Sequence, residues 1–271
     1  MVLAAALAVL GGCSAVRLAY DNADTLLAWQ ANSWFDFQGE LAEERDRRIA
    51  AFLAWHRAHA LPQYARLAEE AARRLERRLV RADLEWAYDV AFAQIREALA
   101  AAAWEAAPLL DRLEAENLSH FEARLAEENR KFAREHLRPP PEERRKQRLQ
   151  RTVDRLEDWL GDLSEAQLRL VRSYNERAPL ADEMRAREHQ RLQRELVAML
   201  RAREATRKLA DWAPNWDRNR EPAYAEAIRR IRTETMEMLL DLDRTLTGVQ
   251  RRAAVARLRS WAAEFERLVR Q

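Results

Sequence analysis

From Gln38 onward the apolar side chains fall into stripes spaced by three and four residues, the period of amphipathic helices. Ile49, Phe52, His56 and His59 form the first stripe. Leu61-Pro62 then predicts a fresh helix start, because proline suits a first turn, with Tyr64, Leu67, Ala71, Leu75 and Leu79 as its apolar face. Leu84, Tyr88, Phe92, Ile95 and Leu99 make the next stripe. Pro108 predicts another restart, carrying Leu113, Phe121, Leu125 and Phe132 to about Leu137. Pro139-Pro140-Pro141 is the clearest break, since each proline removes a donor and restricts the residue before it. A helix is expected from Glu142 or Glu143, through Leu149, Val153, Leu156 and Leu160, to a stop at Gly161. Further stripes run through Leu192, Leu196 and Met199, through Tyr224, Ile228, Ile231, Met238 and Leu242, and through Ala254, Leu258, Trp261, Phe265 and Leu268. Asp211 to Trp216 reads as an aromatic-rich turn. Alternating threes and fours favour long helices packed nearly parallel. The expected fold is all-α, an elongated multi-helix bundle.

Composition supports that reading. Only five glycines occur in 271 residues, and Ala, Leu, Arg and Glu, all strong helix formers, dominate. Basic and acidic side chains nearly cancel at 47 against 45, so the charge gives no footprint for nucleic acid. The single cysteine precludes a disulfide within the chain, leaving helix packing as the source of stability.

That cysteine, Cys13, follows an apolar run from Val2 to Leu10 closed by Gly11 and Gly12. This is the pattern of a bacterial lipobox, in which a signal peptidase cuts before a diacylated cysteine. The expected organisation is a signal peptide over 1–12, a lipid-anchored membrane-proximal segment over 13–37 and a helical body over 38–271, with a sub-boundary at 138–142. No basic residue precedes the apolar run, the first being Arg17, so the expected translation start lies upstream of Met1. Ser14 rather than aspartate follows the cysteine, which favours the periplasmic face of the outer membrane. Trp29, Trp34, Phe35 and Phe37 suit either a membrane interface or a cap on the bundle core.

Two short phrases, Leu163-Ser164-Glu165-Ala166-Gln167 and Leu246-Thr247-Gly248-Val249-Gln250, each read as a capping box. They also resemble the Leu-Thr-x-x-Gln signature of Spy-type periplasmic chaperones, the first copy departing by its serine. His56 and His59 sit at metal-ligand spacing, but neither a His-Glu-x-x-His nor a Glu-x-x-His pair occurs. The run Arg138 to Arg151 is locally basic and reads as a solvated helix face or as a surface for anionic lipid, lipopolysaccharide or peptidoglycan. With no Gly-rich phosphate loop, nucleophile elbow or Cys/His pair, the expectation is a non-enzyme without metal or cofactor.

The opening from Gly12 to Asp24, with Trp29, Trp34-Phe35-Asp36, Trp55-His56-Arg57 and Leu61-Pro62-x-Tyr64-Ala65, resembles a family of bacterial lipoproteins bearing a domain of unknown function. The resemblance is specific over about residues 10–65 and implies an anchored, all-helical protein; it brings no activity with it. It singles out Tyr20, Trp34, Asp36, Trp55, His56, Arg57 and Tyr64 as an expected interaction surface near Cys13. The expected partners are the membrane, through lipidated Cys13, and an envelope protein or peptidoglycan. The alternative function is a membrane-tethered Spy-like chaperone, and a weaker third is a metal-dependent enzyme built on His56 and His59.

Overall fold

The helical periodicity carries through to the tertiary structure. The computed structural model describes residues 13–271, with side chains from Arg17, and every regular element among them is helical. The proposed signal peptide, 1–12, lies outside the described residues. Among them, no helix is long and apolar enough to cross a membrane.

Helices α1 (Cys13–Asp21) and α2 (Ala23–Phe35) follow one another with a single turn residue between them. Asp36 ends α2 in the left-handed conformation at φ 48°, its N–H donating to Asn32 O. Helix α3 (Gly39–Trp55) continues through one π turn (His56–Ala60) straight into α4 (Leu61–Leu75). The expected helix start at Leu61-Pro62 is therefore corrected. The Leu61 N–H donates five residues back, to His56 O, so the backbone ladder is already shifted where Pro62 lacks its donor. Pro108 likewise starts nothing: it lies inside α5 (Arg81–Leu110). The helix runs on through it without the one bond that its missing donor would make, and Ala107, Leu109 and Leu110 around it are buried in the core. At 30 residues, α5 is about 45 Å long and forms the spine of the molecule.

Asp83 fixes where α5 begins. It is 3% exposed, accepts the Val80 N–H at 3.0 Å and takes guanidinium donors from Arg74 and Arg77. These contacts hold its carboxyl down to about 2, Arg77 contributing most.

Helix α6 (Ala115–Phe132) ends in a second π turn (Ala133–Leu137), and the triple proline makes the corner into α7 (Pro141–Leu160), where Pro141 is the first helical residue. Gly161, at φ 73°, stops α7 as expected. Then come α8 (Glu165–Arg177), α9 (Asp182–Arg201), α10 (Ala205–Trp212), α11 (Pro222–Thr245) and α12 (Gly248–Val269). The aromatic-rich turn expected at Asp211–Trp216 forms as a 3₁₀ turn, Ala213–Asn215, with Asp211 and Trp212 still in α10. Arg96 holds that turn to α5, donating to Pro214 O and to both oxygens of Asp217.

Two apolar clusters share the packing. The larger joins Phe37, the C-terminal half of α5, Phe121 of α6, Met199 and Leu200 of α9, and Ala205 and Leu209 of α10. The smaller sits among α7, α8 and α11, around Val171, Tyr174, Met238 and Leu242. Residues from both sides of the triple proline meet in the larger cluster, and Asn129 of α6 exchanges amide hydrogen bonds with Gln193 of α9.

Helix α12 runs antiparallel to α4, as Tyr64 meets Phe265 at one end and Arg251 reaches Leu75 O at the other. Their seam is made of small residues: Ala65, Ala68 and Ala72 against Ala254, Val255 and Ala262, all buried. Short side chains let helix axes approach closely. The expected apolar face of α4, Tyr64, Leu67, Ala71 and Leu75, is thus displaced by about one position, and Leu79 lies beyond the helix.

Both capping boxes form. Ser164 and Thr247 accept from the Gln167 and Gln250 amides, whose side chains accept in return from the Ser164 and Thr247 N–H groups. The two boxes also meet. Gln167 and Gln250 donate to each other's Oε1 at 3.0 and 3.2 Å, and each donates to a carbonyl beyond, of Thr245 and Asp162. Both amides are buried with their hydrogen bonds made, which is the condition for placing them there.

Candidate functional site

The π turn carries the site. A π turn accommodates one extra residue, which re-aims the side chains around it. Here it directs His56 and Arg57 at the arriving helix α1. Tyr20 of α1 and His56 Nδ1 share a hydrogen bond of 3.2 Å. Tyr64 meets His56 edge-on, with ring centroids 5.5 Å apart, and meets Phe265 of α12 at 5.8 Å. Phe52 packs against His56 from one turn back. Arg57 lies over the Tyr20 ring, 5.6 Å from its centroid. Beside this group, Arg17 of α1 donates to Glu264 of α12 at 3.0 Å, and Glu264 is only 1% exposed. Arg267 flanks the same carboxylate at 3.0 Å.

The electrostatics of the group follow from its burial. Desolvation pushes His56 down to about 4, so near neutral pH the ring is uncharged and keeps a lone pair for hydrogen bonding. Burial raises Tyr20, the nearby Arg57 offsetting part of that, and burial raises Tyr64, with Glu97 adding to it. The group thus joins a neutral imidazole to two neutral phenols. Arg57 is the charged member, and its Nε is buried without a hydrogen-bond partner.

Five of the seven expected surface residues are thereby placed together: Tyr20, Trp55, His56, Arg57 and Tyr64. Trp55 stands at the edge, packed on Phe52 and stacked on His59 at 5.7 Å. The expectation of one surface is corrected for Trp34 and Asp36. Tyr20 stands near the end of α1 and Trp34 near the end of α2, beyond the turn at Asn22. Trp34 packs on Phe121 of α6 with Arg124 over its ring, while Asp36 is exposed and accepts from Gln38. The aromatic segment divides in the same way: Phe35 and Phe37 join the larger core, and Trp29 is 67% exposed.

His56 and His59 turn to different partners, His59 Nδ1 lying 3.1 Å from Trp55 O. Among the described residues, no group of three or more His, Cys, Asp or Glu is placed to hold a metal ion. Glu264 and Phe265 are members that sequence reasoning did not assign to the site. Glu264 is followed at helical spacing by Arg267, so it reads as part of a solvated face.

The low value of His56 has a testable consequence. A folded-state value below the ordinary 6.5 means that the unfolded chain binds the proton more readily, so stability falls as pH drops from 6.5 towards 4. His56→Gln removes this linkage. Its stability relative to the wild type, measured by urea unfolding, is expected to improve steadily as pH falls through that window. A difference that stays constant with pH would show that burial of His56 does not govern the joint.

The model of a family of unknown function (DUF6279) matches residues 33–215, well over half of the chain. The match takes in Trp34, Asp36, Trp55, His56, Arg57 and Tyr64, while Tyr20, α11 and α12 lie outside it. No characterised protein and no solved structure matches the chain.

Proposed function

The chain belongs to the DUF6279 family, a family of unknown function, and on that footing we propose that it is a non-enzymatic lipoprotein of the bacterial envelope. Its helical body is held rigidly to a diacylated Cys13 and binds an envelope protein or peptidoglycan on the periplasmic face of the outer membrane. The observation that carries this reading is the clasp on α1. The helix that begins at Cys13 is locked to the bundle by Arg17–Glu264 and Tyr20–His56, so an anchor at its start orients the whole body. Leu18 and Trp29, exposed on α1 and α2, suit the interfacial zone beside such an anchor.

Each acyl methylene in a bilayer contributes about 0.8 kcal/mol, and two chains suffice for stable anchoring. Cys13→Ala is therefore expected to abolish palmitate labelling in a bacterial host and to release the protein from the membrane fraction. Label retained by the variant would defeat the reading.

One observation favours a second reading, the tethered Spy-like chaperone: the two motif copies meet through the Gln167–Gln250 amide pair. Residues 14–271 would then slow the aggregation of unfolded clients at stoichiometric ratios. Inertness towards several unrelated clients would count against it.

A further inference from the structure

Beside the corner at the triple proline an open cavity of about 190 Å³ lies against Arg144, Arg148 and Arg151 of α7, Arg185 and Asp182 of α9, and Tyr224 of α11, with apolar side chains such as Ile228 and Ile231 completing its wall. We propose that this cavity is a binding site for a phosphate group. The locally basic run was expected as a solvated face or as a surface for anionic lipid, lipopolysaccharide or peptidoglycan. Arg148 turns inward and donates to Asn175 Oδ1 and to the carbonyls of Asn175, Ala178 and Pro179 at the end of α8. It thus brings to the cavity a positive charge with no carboxylate against it, and Arg144, Arg151 and Arg185 bring the free donors. Arg144 is only 10% exposed, its ion pairs to Asp182 and Glu183 are long, at 3.7 and 3.3 Å, and its Nε is buried with no hydrogen-bond partner. Arg185 binds Asp182 at 3.0 Å, yet its Nε is also buried without a partner. Arg151 takes part in none of the ion pairs among the described residues.

Asp182 is thus one carboxylate shared by two guanidinium groups, in a cavity lined by four. The field on His136 at the rim agrees: burial lowers its pKa first, and Arg185 and Arg151 lower it further against Asp182 and Glu135. Buried donors without partners are costly, and guanidinium forks match phosphate oxygens. A carboxylate offers two oxygens in one plane. A phosphate monoester offers three, in directions that suit donors arriving from different helices. The volume is below that of a drug-sized pocket, so the ligand is a small phosphomonoester or the phosphate of a lipid headgroup.

Calorimetric titration of the full-length protein with glycerol phosphate, and flotation with vesicles of phosphatidylcholine with and without phosphatidic acid, separate these two sources. Saturable glycerol phosphate binding displaced by inorganic phosphate supports a soluble ligand. Phosphatidate-dependent flotation, displaced by inorganic phosphate, supports a headgroup. In either case Arg151→Ala, at the exposed mouth, is expected to bind about tenfold more weakly, the size of one charge-assisted bond. Arg144→Lys keeps the charge but loses the fork and is expected to do the same. Circular dichroism confirms that each variant is folded. Absence of binding to either probe, binding unchanged in both folded variants, or displacement by acetate as effective as that by phosphate would overturn the proposal. Flotation is compared within the Cys13→Ala background, so failure of the lipid-anchor reading and failure of this site are read separately.

Discussion

Leu61→Ala is expected to destabilise the protein by about 3 kcal/mol, within the range for emptying a buried leucine site. Leu61 is among the most completely buried side chains and directly follows the π turn that carries His56. The cost has two parts, the lost transfer of the side chain from water and the cavity left at the start of α4. The alanines of α4 and α12 already hold the two helices close, so little further approach is available to fill the gap. Urea unfolding followed by circular dichroism measures the effect as a lower midpoint with an unchanged slope. Val249→Ala is the control, because Val249 is exposed and its loss is expected to stay within about 0.5 kcal/mol. A Leu61 variant as stable as that control would refute the burial assigned to the start of α4. The same substitution is expected to loosen α1, since the ring cluster that receives Tyr20 rests on this turn.

Asp83→Asn should be the next most damaging change, at about 2 kcal/mol. Breaking a buried ion pair costs about 3–5 kcal/mol, and the exposure of Arg77 reduces that here. The asparagine keeps one acceptor for the Val80 N–H but loses the charge that draws Arg74 and Arg77 together. The effect depends on pH in a direction fixed by linkage. The carboxyl of Asp83 lies at about 2 in the folded protein against an ordinary 3.8. Its stabilising contribution is therefore complete above the ordinary value and disappears as pH falls through the folded one. The stability gap between the wild type and Asp83→Asn is expected to be constant above pH 4 and to close between about 4 and 2. A gap that persists in acid would mean that the ionised carboxylate is not what holds the start of α5. His56 behaves differently, losing its contribution at higher pH, between 6.5 and 4, so the two groups are distinguishable within one titration series.

Several features of the fold were legible in the sequence because they are decided by near neighbours. Helix formation depends on bonds between residues four apart, so the periodic stripes, the stop at Gly161 and the corner at Pro139–Pro141 could be read directly. The capping boxes at Ser164 and Thr247 close within four residues and were equally clear. The two prolines at 62 and 108 misled because packing can carry a helix through a proline at the loss of one backbone bond. At 62 a π turn has already shifted the ladder, and at 108 the buried neighbours Ala107, Leu109 and Leu110 hold the last turn of α5 in the core. The apolar face of α4 was placed one position off because Tyr64, Leu67 and Leu75 weigh most in a hydrophobic pattern, whereas the buried face is Leu61, Ala65, Ala68 and Ala72.

The sequence by itself determined an all-helical chain, its main breaks and the local chemistry of its caps, all set by interactions within a few residues. Which of those helices touch was decided only by the tertiary structure. It brought Glu264 to Arg17 and Phe265 to Tyr64, paired Gln167 with Gln250, and turned Arg144 and Arg148 from an apparent solvated face into the wall of a cavity. The physical reason is that a helical stripe specifies that a face is to be buried without specifying the surface that covers it. That choice is made by the summed fit of distant segments, to which no short window of residues has access.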